Sequence, residues 1–559
     1  MKTHTGFINT CQVLFFALLL HACNKNDNSG GSSDPTFSVK TGSVDNVSGQ
    51  SSYKNVSVTP VIKLKFDEPL NKSTVPGNVD LHDYNLANVP VNFSYADNDS
   101  TVVLTPVSPL AYLTIHNVQV KTGLQSSNGK ALDAGFQVRL VTGIDSSNKF
   151  PLISDDALLD TVQRKTFRYF WDLGHPVSGM ARERNTSDEL VTTGGTGFGV
   201  MSVIAAVNRG FITRTEGADR IKTITDFLTT KAVSYHGAFP HWMNGSTGAT
   251  IPFSDNDNGA DLVETSYLMQ GLLCARQYFN NGTATETGIR TEINTLYNNV
   301  EWDWFRQNGQ NVLYWHWSPT LNWIMNVQVR GWNEALITYV MAASSTTHTI
   351  DAPVYENGWA NNGGMRNGAS YYGYTLPLGP ARGGPLFFEH YSFLGINPNG
   401  LSDQYADYQV QTKNHTLINY SYCVDNPLNY YGYSDSCWGL TASDSYPPIN
   451  YTDHSPNNDK GVITPTAALS SFPYTPTESM RALKFFYYTL GDKIWKDYGF
   501  VDAFSLDKPW FADSFLAIDQ GPIIVMIENY RSGLLWNLFT SCPEVKAGMT
   551  KLGFHAPYL

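Results

Sequence analysis

Asp255-Asn-Asp257-Asn-Gly259-Ala-Asp261-Leu-Val-Glu264-Thr-Ser-Tyr-Leu-Met-Gln-Gly271 is the stretch that decides how the chain is read. Four carboxylates fall within ten residues and lead directly into an apolar run. Leu262, Leu268, Met269, Leu272, Leu273, Ala275 and Phe279 recur at helical spacing, which predicts a helix over about 261–280. Gly259 favours a start near Ala260, with Asp257 on the loop before it and Asp261 and Glu264 three apart on one face. Like charges this close repel, so they are normally dispersed unless a cation or a substrate uses them. Capping of free helix N–H groups accounts for one or two of the four, not for all. A calcium loop fits poorly: the EF-hand pattern has Gly at its sixth position, and the run starting at Asp255 has it at the fifth. The cluster therefore reads as a catalytic or sugar-binding group at the mouth of a pocket. No metal is assigned to it, and calcium is not expected for catalysis.

The length, 559 residues, suggests two or more domains. Charged residues make up only 15% of the chain, aromatics reach 13%, and the net charge is −12. That balance argues against nucleic acid or an anionic membrane face as partner. Many Trp, Tyr, Asn and Gly with few charges suit a surface that meets neutral sugars, and the same aromatics also fill a large helical core.

Residues 1–22 read as a lipoprotein signal peptide: Lys2 supplies the positive end, and Val13 to Leu20 form an apolar run too short to span a bilayer. Leu20-His-Ala-Cys23 resembles a bacterial lipobox, which makes Cys23 the lipidated first residue of the mature chain and its membrane anchor. The expected location is the cell envelope, on the periplasmic face or the outer surface of the outer membrane. Residues 23–35, rich in Asn, Ser and Gly, read as a flexible tether. Outside the cytoplasm disulfides are permitted, and Cys423 and Cys437 are placed either to pair or to stay free. Cys274 falls on an apolar helix face and is expected to be buried.

Residues 36–142 have period two. Ile62, Leu64 and Phe66 alternate with lysines, and Val89, Val91, Phe93 and Tyr95 repeat the pattern. About seven such strands fit a β-sandwich. Phe66-Asp-Glu-Pro69, Leu104-Thr-Pro-Val-Ser-Pro-Leu110 and Val120–Lys130 resemble a bacterial Ig-like domain. It carries no catalytic constellation and reads as a spacer, with sugar binding the weaker reading.

From about residue 150 helices dominate, at about 197–208, 216–233, 261–280, 286–305, 333–344, 401–420, 477–490 and 519–531. Long loops near 306–332, 350–385 and 421–462 hold many aromatics and are expected to be functional. Helices in pairs with aromatic loops at their ends suggest an (α/α) toroid with a funnel at one end. Trp332, Trp242, Trp438 and Phe253 are the candidate substrate-binding residues. Thr192-Thr-Gly-Gly-Thr-Gly-Phe-Gly199 has neither a preceding strand pattern nor a following Gly-Lys-Ser/Thr. It reads as close packing or backbone near a sugar, not as a phosphate loop.

Two further carboxylates stand out. Glu334, in Arg330-Gly-Trp332-Asn-Glu334, reads either as an acid in a helix first turn or as a proton donor whose pKa an apolar wall raises. Asp519, in Ala517-Ile-Asp519-Gln-Gly-Pro522, reads either as an N-cap or as a funnel residue. His241, His316 and His390 each read first as structural hydrogen-bonders.

Phe167-Arg-Tyr-Phe-Trp-Asp172, Thr193–Gly199, Asp257-x3-Asp261-x2-Glu264-Thr-x4-Gln270-Gly271 and Trp332-Asn-Glu334 resemble the bacterial glycoamylase-like domain, best matched by glycoside hydrolase family 144, the β-1,2-glucanases. The resemblance covers residues 150–559. It implies an (α/α)6 barrel, a β-1,2-glucan substrate and inversion at the anomeric carbon, with Asp257, Asp261, Glu264, Glu334 and Asp519 on the functional carboxylate positions. The alternatives are a glucoamylase-like hydrolase of another glucan, a polysaccharide lyase, and a non-catalytic surface glycan-binding lipoprotein. The acidic balance speaks against the lyase, which needs cationic groups to neutralise an acidic polymer.

Overall fold

The computed structural model describes residues 36–559. The proposed signal peptide, the tether and Cys23 lie outside the described residues.

The N-terminal unit is an all-β sandwich of two five-stranded sheets, ten strands where the sequence suggested about seven. One sheet runs Val47–Ser48, Val39–Val44, Ile62–Phe66, Thr101–Pro106, Val91–Ala96. The other runs Ser52–Val56, Phe136–Thr142, Ile115–Val120, Val79–Asp83, Asn88–Val89. Two of the extra strands are two-residue edge pieces that leave no period-two signal. Register follows the alternation: Ile62 pairs with Leu104 and Leu64 with Val102. These side chains face Val79, Leu81, Val118, Val120, Val138 and Leu140 to make the sandwich core.

A helical domain follows. Its first six long helices are α1 (Asp155–Asp172), α2 (Thr193–Asn208), α3 (Arg214–Thr230), α4 (Leu262–Tyr278), α5 (Ala284–Asn298) and α6 (Leu336–Ser344). The helices Tyr408–Asp425 and Ala517–Ser532 come later. Starts are set by local chemistry. Ser154 caps α1, Thr213 and Glu216 form a capping box on α3, and Thr283 caps α5. α1, α3 and α5 are amphipathic, whereas α2, α4 and α6 are buried almost all round. An apolar helix follows each amphipathic one, so the chain lays down outer and inner elements in turn. Ala517–Ser532 is also buried along most of its length and packs on α1 and α2.

Glycines set the spacing of the inner helices. A Cβ on Gly197 would lie 2.1 Å from the Tyr267 carbonyl oxygen, and one on Gly271 would lie 2.2 Å from the Gly197 carbonyl oxygen. α2 and α4 thus touch backbone to backbone, which is the close-packing reading of the Gly-rich run. The four cysteines among the described residues, Cys274, Cys423, Cys437 and Cys542, are all buried free thiols, so Cys423 and Cys437 do not pair.

Gly197→Ala is expected to lower stability by about 1–3 kcal/mol or more, since neither backbone can yield locally. Calorimetry should show the helical domain's transition moving down while the sandwich's does not.

Candidate active site

The cluster sits where α4 begins. Ala260–Asp261 forms a two-residue ladder with His316–Trp317, which sets Asp261 opposite His316. Gly259 is needed there: a Cβ would lie 2.2 Å from the Trp317 carbonyl oxygen. Asp261 is the α4 N-cap, and its Oδ1 accepts the Glu264 N–H at 2.9 Å. The capping account therefore holds for Asp261 and for none of the other three acids. Glu264, one turn in, accepts the Gly194 N–H at 2.7 Å on Oε2. A Cβ on Gly194 would lie 2.5 Å from that oxygen, so the first turn of α2 has to be glycine for this carboxylate to be held. Asp257 remains on the preceding loop, its Oδ2 3.6 Å from His316 Nε2.

His241 is the cation of the group. Its Nδ1 donates to Asp261 Oδ2 at 3.0 Å. Burial works against its charge, yet Glu264, Asp261 and Asp257 together lift its pKa to about 9. Asp261 is likewise buried, but the bond from His241 and the nearby His316 hold its carboxyl below the ordinary range. Burial and the Asp261 charge push Asp257 up to about 7, and burial also raises Glu264. His241, Asp257 and Asp261 bring one ligand atom each within 4.8 Å of one another, a set a divalent cation could use. Protonated His241 meets the same need for positive charge without one.

A cavity of about 390 Å³ opens above this cluster. Glu264 and Glu334 both line it. Its aromatic walls include Trp242, Phe253, Trp315, Phe387, Tyr391 and Tyr451. Trp242 and Phe253 pack together with ring centroids 4.7 Å apart, and Phe253 also covers His241. Glu334 lies in the turn before α6, not within its first turn, because α6 begins only at Leu336. Its backbone carbonyl accepts a bond from the Ser392 hydroxyl. Burial, then the charges of Glu264 and Asp261, raise its carboxyl to about 7.

Two of the candidate stacking residues are elsewhere. Trp332 is buried against Trp359, Phe393 and Tyr408, and its indole N–H donates to Glu389 Oε1 at 3.1 Å. Trp438 is fully buried and donates to the Glu478 carbonyl at 3.2 Å. Both are core residues, because an indole with a buried partner for its N–H fills space better than it binds sugar. His390 is also a core residue, bonded to Ser471 Oγ at 3.0 Å.

Asp519 is buried three residues into the helix Ala517–Ser532, whose N-cap position is Leu516, so it does not cap. It belongs to a second acidic group that the sequence did not reveal. The Asp502 and Asp519 carboxyls are close enough to perturb each other, and Oδ1 of each is buried without a hydrogen-bond partner. Two neighbouring buried carboxyls resist ionising together. Burial, with Asp444 adding, raises Asp502 to about 7 and holds Asp519 well above the carboxylate range, so the pair keeps a proton at neutral pH. Asp444 donates its N–H to Asp502 at 2.7 Å, and Arg184 links Asp444 to Glu183 on the cavity wall. None of Glu183, Arg184, Asp444 or Asp502 lies in a motif. His241 could have been found from its place beside Trp242, close ahead of the acidic run.

A family model described as "Putative glucoamylase" matches residues 326–543, and one described as "Bacterial Ig-like domain" matches residues 40–142. The endo-β-1,2-glucanase of Chitinophaga pinensis, solved with sophorotriose and glucose, is 51% identical with a TM-score of 0.71, over 73% of this chain and all of that one. The chain belongs to glycoside hydrolase family 144. A solved β-1,2-glucanase of Parabacteroides distasonis matches this family member at 38% identity and TM-score 0.70, over 90% of this chain and 72% of that one. An exo β-1,2-glucooligosaccharide sophorohydrolase (non-reducing end) from P. distasonis is 45% identical over 427 residues. That match takes in 73% of this chain and spans 59% of the relative's length.

Two outcomes follow from the electrostatics. A carboxyl whose folded pKa is raised stabilises the fold below its unfolded pKa, near 4.5, and that contribution is lost as pH rises through about 7. Glu334→Gln removes the buried charge, so its melting temperature should exceed that of the unaltered protein at pH 8 and match it near pH 4. Asp502→Asn removes the neighbour that keeps a proton on Asp519. The acid limb of the pH–rate profile should then move to lower pH if Asp519 ionises during turnover.

Proposed function

We propose that this chain hydrolyses β-1,2-linked glucan or its oligosaccharides with inversion at the anomeric carbon. One observation carries the reading: Glu334, with its pKa lifted to about 7, and Glu264 line one aromatic-walled cavity in a chain half identical to an endo-β-1,2-glucanase. Glu334 is the general acid. Burial lets it keep a proton near neutral pH and release it to the leaving oxygen as the bond breaks. The base that activates water is Glu264 or Asp519. Glu264 borders the cavity directly, and Asp519 adjoins the Leu516 and Ile518 wall. Asp257 and Asp261, through His241, set the charge around Glu264. Trp242 and Phe253 supply faces for a pyranose ring.

The same reading takes the helical region, residues 150–559, as an (α/α)6 barrel. Its support is the succession of amphipathic and all-round buried helices along the chain. Residues 36–142 form the Ig-like unit ahead of it. Cys23 anchors the mature chain to a membrane of the cell envelope, supported by the lipobox-like Leu20–Cys23.

The test is product analysis on linear β-1,2-glucan beside starch, β-1,3-glucan and β-1,4-glucan. Release of oligosaccharide is expected from the first alone, with the anomeric configuration inverted in nuclear magnetic resonance of the fresh product. Glu334→Gln should lose ~10²–10⁴-fold in kcat on unactivated glucan. Cleavage of starch in preference, or near-normal turnover by Glu334→Gln, would overturn the assignment.

A further inference from the structure

The Ig-like unit and the helical domain enclose a second cleft, of about 550 Å³. Tyr84, His116 and Arg139 line it from the sandwich, and Tyr446, Lys508 and Trp510 from the helical domain. The two units meet directly around it. Lys54 pairs with Asp507, the Tyr431 hydroxyl donates to Asn55 Oδ1 at 2.9 Å, and Leu113 of the sandwich packs into the helical core. The cleft is therefore walled by packed elements, and its size is in the range of ligand sites, which favour domain interfaces.

Its polar groups are incompletely used. His116 is 5% exposed, and its Nε2 is taken by Thr114 Oγ1 at 2.9 Å, while Nδ1 has no partner. Arg139 Nε is also buried without one. Burial lowers the His116 pKa, which leaves a neutral imidazole suited to a hydroxyl. Orphaned buried polar atoms are uncommon and call for an explanation. Tyr84, at the turn after Val79–Asp83, is 73% exposed. Leu86 in the same turn has φ +64°, a conformation that a branched side chain rarely adopts. Lys508 stands over the Tyr446 ring at 4.3 Å and Asp83 lies in the wall, so no concentrated positive charge awaits an anion. Aromatic faces, two hydroxyl-binding nitrogens and little net charge are what a neutral sugar needs.

The hairpin Ala442–Asp444/Tyr451–Asp453 joins the two cavities. Ala442 and Tyr451 line the catalytic cavity, and Tyr446 and Pro447 near its tip line the cleft. We propose that the interdomain cleft binds a stretch of neutral glucan outside the catalytic cavity and holds polymer against the enzyme. This rests on the substrate reading above. It gives the Ig-like unit a binding role where its sequence read as a spacer. Two linked contacts on one polymer raise retention without altering the chemistry at either.

The test uses the full chain with Tyr84→Ala, and separately Trp510→Ala. Both should cleave short β-1,2-gluco-oligosaccharides as the unaltered enzyme does. On polymeric β-1,2-glucan, KM should rise roughly tenfold with kcat unchanged, as for loss of one aromatic contact. In a Glu334→Gln background, gel retention by the polymer should fall. Unchanged retention and KM in both variants would overturn the proposal, as would displacement of polymer by inorganic phosphate. Failure of the unaltered enzyme to cleave any β-1,2-glucan would instead sink the substrate reading. Retention of the Glu334→Gln protein by the other glucans, with and without Tyr84→Ala, would then still report on the cleft.

Discussion

The backbone contact between Gly197 and Gly271 is the constraint on which the helical domain depends. Side chains normally hold helix axes 8–10 Å apart. Here the absence of Cβ atoms lets α2 and α4 approach until carbonyl meets Cα. That approach brings the Gly194 N–H onto Glu264, so the carboxylate is held by an inner-helix terminus. The same geometry aims the positive end of α2 at an acid that burial alone would neutralise. One packing decision thus fixes both the width of the inner layer and the position of a cavity-lining acid.

The site is assembled from groups that each oppose stability. Glu264, Glu334, Asp257 and the Asp502–Asp519 pair are acids placed where their charged forms lose hydration. The protein tolerates them by protonating some and by setting one imidazolium, His241, among Glu264, Asp261 and Asp257. Strongly shifted pKa values gathered around one cavity are what make it the candidate active site. Burial and neighbouring charge thus push these groups apart, with Glu334 raised and Asp261 held below the ordinary carboxylate range.

Much of this was legible in the sequence, for identifiable reasons. The α4 start was readable because Gly259 and Asp261 act locally, through chain flexibility and capping. The sandwich was readable because its core strands keep strict alternation, as Ile62, Leu64 and Phe66 do. Trp332 and Trp438 misled because a tryptophan in a loop has the same sequence signature whether it faces a sugar or a buried acceptor. Asp502 and Asp444 were invisible because long-range packing alone brings them to Asp519. His241 looked unremarkable because its partner lies twenty residues ahead, across a loop. Glu334 was readable as an acid of interest, but its turn was not, since nothing local to Trp332–Ala335 says where α6 begins.

The first helix of the helical domain, α1, is stitched to the late helix Ala517–Ser532. Arg531 reaches Asp156 and Asp160, and Gln163 donates to the carbonyl of Ile524. More than three hundred and fifty residues of chain separate these partners. α2, whose faces are almost wholly apolar, completes its burial only when Ala517–Ser532 arrives. A chain emerging from the ribosome therefore carries α2 with one apolar side uncovered until Ala517–Ser532 has been made. Apolar surface left open over so long a stretch of synthesis is a hazard for aggregation, and the late helix is what ends it.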